Sequence, residues 1–248
     1  MRKVELLAVP GLPLVKTGDD LAALIGERLT GELALRPGDV LVLAQKIVSK
    51  AEGRVVDLAT VKPSQRAVEL GAEVLKDPRL VELILQESSR VVRSRPNVLI
   101  VEHKLGLTMA NAGIDQSNVA PLDGVERALL LPRDPDGSAE ALRAKLGATA
   151  VLIIDSFGRP WRKGTTGVAI GAAGLPALID MRGMPDMFGR ILQVTISAFA
   201  DEIAAAASLV MGQADEAQPV VLVRGLTWKA PNVPAAELIR SPAEDLFR

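Results

Sequence analysis

Short apolar runs alternate with amphipathic stretches along this chain, and turn residues separate them. Residues 4–9 form a first run that reads as a strand. Leu21, Leu24, Ile25 and Leu29 then recur at helical spacing behind Thr17-x-x-Asp20, which predicts a helix opened by a capping box with Asp in place of Glu. Pro37-Gly38-Asp39 is a turn. The unbroken apolar run 40–44 after it has the pattern of a strand buried on both faces. Helices are predicted over 64–75 and about 78–86, the second with Leu80, Leu83 and Ile84 on one face. Residues 98–101 read as a strand, and 125–131 are too mixed to assign. The turn-rich stretch 132–137 leads into a helix capped by Ser138 and ending at Leu146. Residues 150–154 predict another buried strand that ends at Asp155. Strands are also expected over 192–196 and 220–223, with an Ala-rich helix over 198–211 between them and a short final helix in 230–248. Helices and strands mix without strict alternation, and no repeat or linker divides them. The predicted class is therefore α+β, in one domain over 1–248.

Composition narrows the chemistry. Aromatic residues make up 2% of 248 and Tyr is absent, so the core must be aliphatic and base-stacking platforms are nearly unavailable. The net charge of -1 comes from scattered ions with no basic arm, which argues against nucleic acid as a partner. The absence of Cys removes thiolate metal sites, iron–sulfur clusters and cysteine nucleophiles, and fits the cytoplasm. His103 is the only histidine, no G-x-S-x-G elbow accompanies it, and it reads as a surface or strand-end residue. Any metal must then be held by oxygen, which favours Mg or Mn over Zn. No segment reaches 18 uninterrupted apolar residues, so no membrane span is expected, and the N-terminus reads as a strand rather than a signal peptide. Neither a G-x-G-x-x-G turn after the first strand nor a Walker lysine motif is present.

Four segments combine oxygen donors with cations. Ala110-Asn111-Ala112-Gly113-Ile114-Asp115-Gln116-Ser117-Asn118 sets an acid, a hydroxyl and an amide in a small-residue stretch that a ligand can approach closely. Ile154-Asp155-Ser156-Phe157-Gly158-Arg159-Pro160-Trp161-Arg162-Lys163 puts an acid and a hydroxyl at a strand end, followed by three cations and the glycine-bearing loop 164–167. Gly212 can end the Ala-rich helix, and Gln213, Asp215 and Glu216 follow it. Gln45-Lys46 to Lys50 leave the strand 40–44 with two cations. Each segment alone is equally an Asx-rich turn, a basic surface loop, a solvated helix end or a charged strand exit. Together they suit phosphoryl chemistry around divalent ions.

The same segments carry a resemblance. Gly11-Leu12-Pro13-Leu14-Val15, residues 47–53, 110–118, 155–162, and Asp201-Glu202-Ile203-Ala204-Ala205-Ala206 through 212–216 are similar, in order, to the F420-0:γ-glutamyl ligases over roughly residues 4–228. The resemblance implies a mixed-sheet fold of two intimate subdomains in an intertwined homodimer. It implies a GTP-dependent ligase that joins L-glutamate to the carboxylate of coenzyme F420-0 through an acyl phosphate, then adds γ-linked glutamates. Asp115, Asp155, Ser156 and Gln213 would hold two Mg or Mn ions, with K+ as a further cofactor. The family often has Thr where Ser156 stands. Asp115, Asp155 and Arg159 would carry catalysis. Leu12, Pro13, Leu14, Val15, Gln45, Lys46, Lys50, Asn118, Met211, Gly212, Gln213, Ala214, Asp215, Glu216, Ala217 and Gln218 would contact GTP, although Gln45-Lys46 departs from the Ser-Thr of some members. A nucleotide- or deazaflavin-binding module without catalysis, and an amide ligase for another phosphate-bearing acid, are the alternatives.

Overall fold

The computed structural model describes residues 3–117, 119 and 124–245. In chain order the elements begin with β1 (Glu5–Ala8), α1 (Leu21–Gly26), β2 (Val40–Ala44), α2 (Gln45–Ala51) and β3 (Val55–Asp57). Then come α3 (Gln65–Val74), α4 (Pro78–Gln86), β4 (Ser88–Arg95), β5 (Val98–His103), β6 (Thr108–Ala110) and β7 (Arg127–Leu129). The last third holds α5 (Pro135–Leu146), β8 (Ala150–Arg159), β9 (Arg162–Ala173), β10 (Ile179–Asp180), β11 (Ile196–Ser197), α6 (Phe199–Met211) and β12 (Val220–Arg224).

The central sheet has the order β1-β12-β2-β8-β9 and is mixed. β1 and β2 both run antiparallel to β12, and β2 pairs parallel with β8, so β1, β2 and β8 all point the same way. The unbroken apolar runs of β2, β8 and β12 follow from cover on both faces. One face buries Leu41, Leu43, Val151 and Ile153 under α1, α2 and α5. The other buries Val40, Val42, Leu152 and Ile154 under the Ala-rich face of α6. A second unit packs Leu70, Val81 and Ile84 of α3 and α4 against Leu99 and Val101 of β5. It contains the β4-β5-β6 sheet and the β3-β7 pair. The class is mixed α+β, as expected.

Several local expectations change. Asp20, not Thr17, caps α1: its carboxylate accepts from the N–H groups of Ala22 and Ala23. Helix α5 starts before Ser138, because Asp134 accepts from Gly137 N–H and Pro135 fills the first turn, where no N–H is needed. Residues 45–50 form a helix rather than a strand exit. Only Ile196–Ser197 of the stretch 192–196 is paired as strand, and the final helix is a 3₁₀ turn over Ala235–Leu238. The largest difference is that β8 does not stop at Asp155. It continues to Arg159, and 162–173 returns beside it, so the expected loop is a long hairpin.

β9 is the sheet's open edge. Two of its N–H groups are taken by carboxylates: Asp201 accepts from Ala169 at 2.9 Å, and Asp136 from Ala172 at 2.7 Å. Asp136 also accepts from Ala235 and Ala236, which ties the C-terminal segment to the same edge. These contacts occupy part of the ladder that another strand would need.

Candidate active site

Because β1, β2 and β8 are parallel, the segments following them leave from one edge of the sheet. The start of β12 lies at that edge as well, since Val9 N–H donates to Val220 O and Ala44 N–H to Pro219 O. Loops 9–20, 212–219 and the starts of α2 and of the β8–β9 hairpin therefore converge where ligands commonly bind in sheets with helices on both faces. The fourth segment arrives from the second unit. There Asn111, Ala112 and Gly113 all have positive φ, 52°, 54° and 67°. Such a turn costs roughly 1–2 kcal/mol for each residue that is not glycine. A Cβ at Gly113 would sit 2.9 Å from Leu131 Cγ and from Met109 Cε, so this position must stay bare. The small residues of 110–113 thus serve a strained turn that delivers Asp115, which is fixed by a bridge to Leu129.

The charges meet here. Lys46 Nζ lies 2.5 Å from Asp115 Oδ2 and 3.2 Å from Ser117 Oγ. Ser117 N–H donates to Asp115 Oδ1 at 2.7 Å. Burial works to raise the Asp115 carboxyl, but Lys46 and Ser117 outweigh it and hold the group below its ordinary value. Asp155 is pushed up to about 6, chiefly by burial; Ser156 N–H and Lys46 oppose the rise, and the Asp115 charge adds to it. The two carboxylates therefore share one low-dielectric spot. Lys50 is depressed by burial and by Lys46, with Asp115 pulling the other way. On the α6 side, Gln213 Nε2 donates to Ser156 Oγ at 3.0 Å. Among the described residues no group of three or more His, Cys, Asp and Glu is arranged for a metal. Asp115, Asp155, Ser156 and Gln213 together offer only hard oxygens.

A family model described as F420-0:Gamma-glutamyl ligase matches residues 11–225. The Coenzyme F420:L-glutamate ligase of Methanothermobacter thermautotrophicus is 50% identical over 231 residues, covering 91% of this chain and 90% of that protein. This chain belongs to the F420-0:γ-glutamyl ligase family. The proteins of the same name from Methanopyrus kandleri and Methanocaldococcus jannaschii are 45% and 40% identical, over 100% of this chain and 100% and 98% of theirs.

In this F420-0:γ-glutamyl ligase family member the remaining predicted residues fall into distinct places. Leu12 and Val15 pack against the core, while Leu14 is 87% exposed and Pro13 is exposed beside it. Gln45 is buried and accepts from Ser49 Oγ at 2.8 Å, one helical turn on. Met211 belongs to the core under α6, and Gly212 ends that helix. Ala214, Asp215 and Ala217 are exposed. The Glu216 carboxylate folds back onto its own loop, where the N–H groups of Ala214 and of Glu216 itself hold it below its ordinary value. Gln218 Oε1 is buried with no hydrogen-bond partner among the described residues. Asn118 lies outside the described residues. Arg159 stands exposed at the hairpin tip, its backbone about 13 Å along β8 from that of Asp155 at the usual strand rise. His103 is a strand-end residue, but a buried one: its Nδ1 accepts from Leu105 N–H at 2.9 Å, and Glu87 lies 3.7 Å from Nε2. Sequence reasoning gave no role to Asp201 and did not single out Arg240. The signals for Asp201 are its place in a segment that carries the resemblance and, with Glu202, an acidic first turn on an otherwise apolar helix.

Among the described residues no helix is long and apolar enough to cross a membrane.

Proposed function

We propose that this chain uses GTP to join L-glutamate to the carboxylate of coenzyme F420-0, through an acyl phosphate, and then adds γ-linked glutamates, in the cytoplasm. The observation that carries the reading is the meeting of Lys46, Lys50, Asp115, Asp155, Ser156 and Gln213 at one sheet edge. Relatives named Coenzyme F420:L-glutamate ligase supply the substrates.

The donor set fits Mg or Mn, because it consists of carboxylate, hydroxyl and amide oxygens without sulfur or imidazole. Asp155 supports the fit: it is a half-buried carboxyl with one N–H donor among the described residues, and a cation would relieve it. Asp115, Asp155, Ser156 and Gln213 would hold two such ions, with K+ alongside. When bound, the ions neutralise charge on phosphate oxygens. The chain does the rest. Lys46 and Lys50 hold the anionic phosphates, and the loops 9–20 and 212–218 shape the nucleotide's seat. The acceptor carboxylate takes the terminal phosphoryl group and GDP leaves; the glutamate amine then attacks the acyl carbon and phosphate departs. Buried neighbours keep water from the acyl phosphate in the interval. In this reading Arg159 meets an anionic group of the acceptor that is remote from the transferred phosphoryl group.

A homodimer belongs to the same reading. The stretch 184–196 leaves Met187, Phe188 and Val194 at 85% exposure or more. An apolar patch of that kind on a single chain favours cover by a partner, here a second copy in the intertwined arrangement.

The test is mass spectrometry of the product after incubation with F420-0, GTP, Mn and L-glutamate. A glutamyl adduct and GDP are expected only when all four are present, and Asp115→Ala and Asp155→Ala should abolish both. GTP consumption without an amide product would overturn the ligase reading.

A further inference from the structure

One motif is left without a role by the chemistry above: the Asp201 end of α6. Beside it lies a cleft of about 380 Å³, inside the range of about 300–1,000 Å³ usual for small-molecule sites. Phe157, Val168 and Ile170 floor it, the turn 105–108 walls one side, and 235–240 walls the other. The turn keeps its shape through His103, whose Nδ1 accepts from Leu105 N–H and whose carbonyl accepts from Gly106 N–H. Gly106 has φ +85°, and a Cβ there would meet Ile239 Cδ1 at 3.1 Å, so the two walls approach as closely as glycine permits.

Two features connect this cleft to the carboxylate centre. Val168 pairs directly with Asp155 across β8 and β9, a Cα separation of about 5 Å on the same face of the sheet. The chain segment that forms the wall at 105–108 continues into the strained turn that presents Asp115. The cleft therefore opens beside the reacting position.

Four acids and one cation line it: Asp134, Asp136, Asp201, Asp245, which has an interaction of its own, and Arg240. Asp134 is occupied by Gly137 N–H, and Asp136 by three backbone N–H groups. Asp201 is different: it accepts only from Ala169 N–H, through Oδ1, and Oδ2 has no partner among the described residues. Arg240, on the opposite wall, makes no ion pair among the described residues. A half-buried acid with a spare oxygen and a cation thus line one cleft with an apolar floor. That pattern complements a free amino acid, with ammonium at one end and carboxylate at the other.

We propose that this cleft seats the amino-acid nucleophile, with Asp201 Oδ2 taking the ammonium group and Arg240 a carboxylate. The proposal rests on the ligase reading for the identity of that nucleophile, L-glutamate. The amine is then presented along β9 toward the acyl group held near Asp155.

Steady-state kinetics test it. Arg240→Gln changes an exposed side chain with no ion pair among the described residues and should melt within about 2 °C of wild type; Asp201→Asn keeps an acceptor for Ala169 N–H and should stay folded with a fall of a few degrees at most. Each should raise KM for L-glutamate about tenfold or more, the loss of one charge-assisted hydrogen bond, while KM for GTP stays within about twofold. Glutarate, which lacks the amine, should compete equally against wild type and Asp201→Asn, and lose its hold on Arg240→Gln. Unchanged KM for glutamate in both variants overturns the proposal while leaving the ligase reading intact. If wild type forms no glutamyl product, the ligase reading falls, and equilibrium dialysis of radiolabelled L-glutamate judges the cleft alone. Retention by wild type that both variants lose supports it; no retention by wild type, or equal retention by all three, overturns it.

Discussion

Gly171 offers the sharpest test of how β9 is held. It lies beside a bulge: Ile153 pairs with Gly171, yet Ile154 pairs with Ala169, so Ile170 is the extra residue. At this point the first turn of α5 lies against the strand. A Cβ on residue 171 would stand 2.5 Å from the Pro135 carbonyl carbon and 2.8 Å from Pro135 Cβ. Ordinary contact needs about 3.5 Å or more, so strand and helix must separate by close to 1 Å. That motion pulls on the 2.7 Å bond from Ala172 N–H to Asp136 and on the 2.8 Å bond from Ala235 N–H. Overpacking of this kind costs roughly 1–3 kcal/mol, and a weakened hydrogen bond to a charged acceptor roughly 1.5–3 more. Gly171→Ala should therefore destabilise by roughly 2.5–6 kcal/mol. At about 2–4 °C per kcal/mol for a chain of this size, Tm falls by roughly 5–24 °C. Gly158→Ala is the control, because nothing lies within 4 Å of its Cβ position. It should change stability by about 0.5 kcal/mol or less. Calorimetry of the three proteins decides the matter. A Gly171→Ala Tm within about 2 °C of wild type, or an equal loss in Gly158→Ala, refutes the close-packing argument.

Other outcomes follow from the charges and the exposed stretch. In chelator-treated protein Asp155→Asn should raise Tm at pH 7 by removing a buried charge worth roughly 1–3 kcal/mol. The native pKa of about 6 lies above the unfolded value of about 3.9, so that cost is present above pH 6 and gone below pH 4; the advantage of Asn should vanish in a melt at pH 4, and a destabilised Asp155→Asn at pH 7 contradicts the assignment. Added Mn should stabilise wild type, by about 2.7 kcal/mol at a hundredfold excess over Kd, and leave Asp155→Asn unmoved in the same melt. Glu87 is held low, first by His103 and then by Arg54 at 2.6 Å, so it contributes stability above the unfolded value that is lost as pH falls through the lower folded one. Glu87→Gln should cost about 2 kcal/mol in urea titrations at pH 7 and much less near pH 3; equal losses at both would assign the effect to packing. Replacing Met187 and Phe188 with Ser should shift sedimentation from dimer to monomer, and an unchanged dimer removes that stretch from the interface.

Local signals in the sequence account for much of the fold. Ser64 and Asp77-Pro78 mark the starts of α3 and α4, and the apolar faces behind them keep period; both helices end within a residue of their expected limits. The run at β2 is legible because burial on both faces leaves nothing polar in it. β4 is not legible: SSRVVRSR carries two apolar residues, and its strand form comes from pairing with β5, a partner the local sequence does not contain. The outer half of the hairpin hides for the same reason. Gly158, Arg159, Gly164 and the two threonines read as loop, and only the register against the neighbouring strand makes them a ladder. Caps fail more subtly. Thr17 and Asp20, or Asp134 and Ser138, are equally good side chains, and which one caps depends on where the chain enters the turn.

The candidate site divides along the same line. Residue type and order identified Asp115, Asp155, Ser156 and Gln213, since oxygen donors beside small residues are uncommon enough to notice. Their meeting is a property of topology. Asp115 comes from the second unit and Asp155 from the central sheet, and no spacing in the sequence brings residues forty apart onto one lysine. That lysine also explains the balance of the centre. Lys46 and Lys50 oppose Asp115 and Asp155 in a spot where burial penalises every unpaired ion, so the four nearly cancel without ligand. Asp155 and Lys50 are the less compensated pair, so the carboxyl rises and the ammonium is depressed while Asp115 falls. A ligand that brings phosphate and divalent ions together adds charge of both signs in nearly equal measure and can enter such a centre without upsetting it. The carboxylates weaken the hold on phosphate alone, and the lysines weaken the hold on a metal alone. The arrangement thus favours the metal–nucleotide pair over either component, a coupling that nucleotide-binding measurements with and without Mn would register directly.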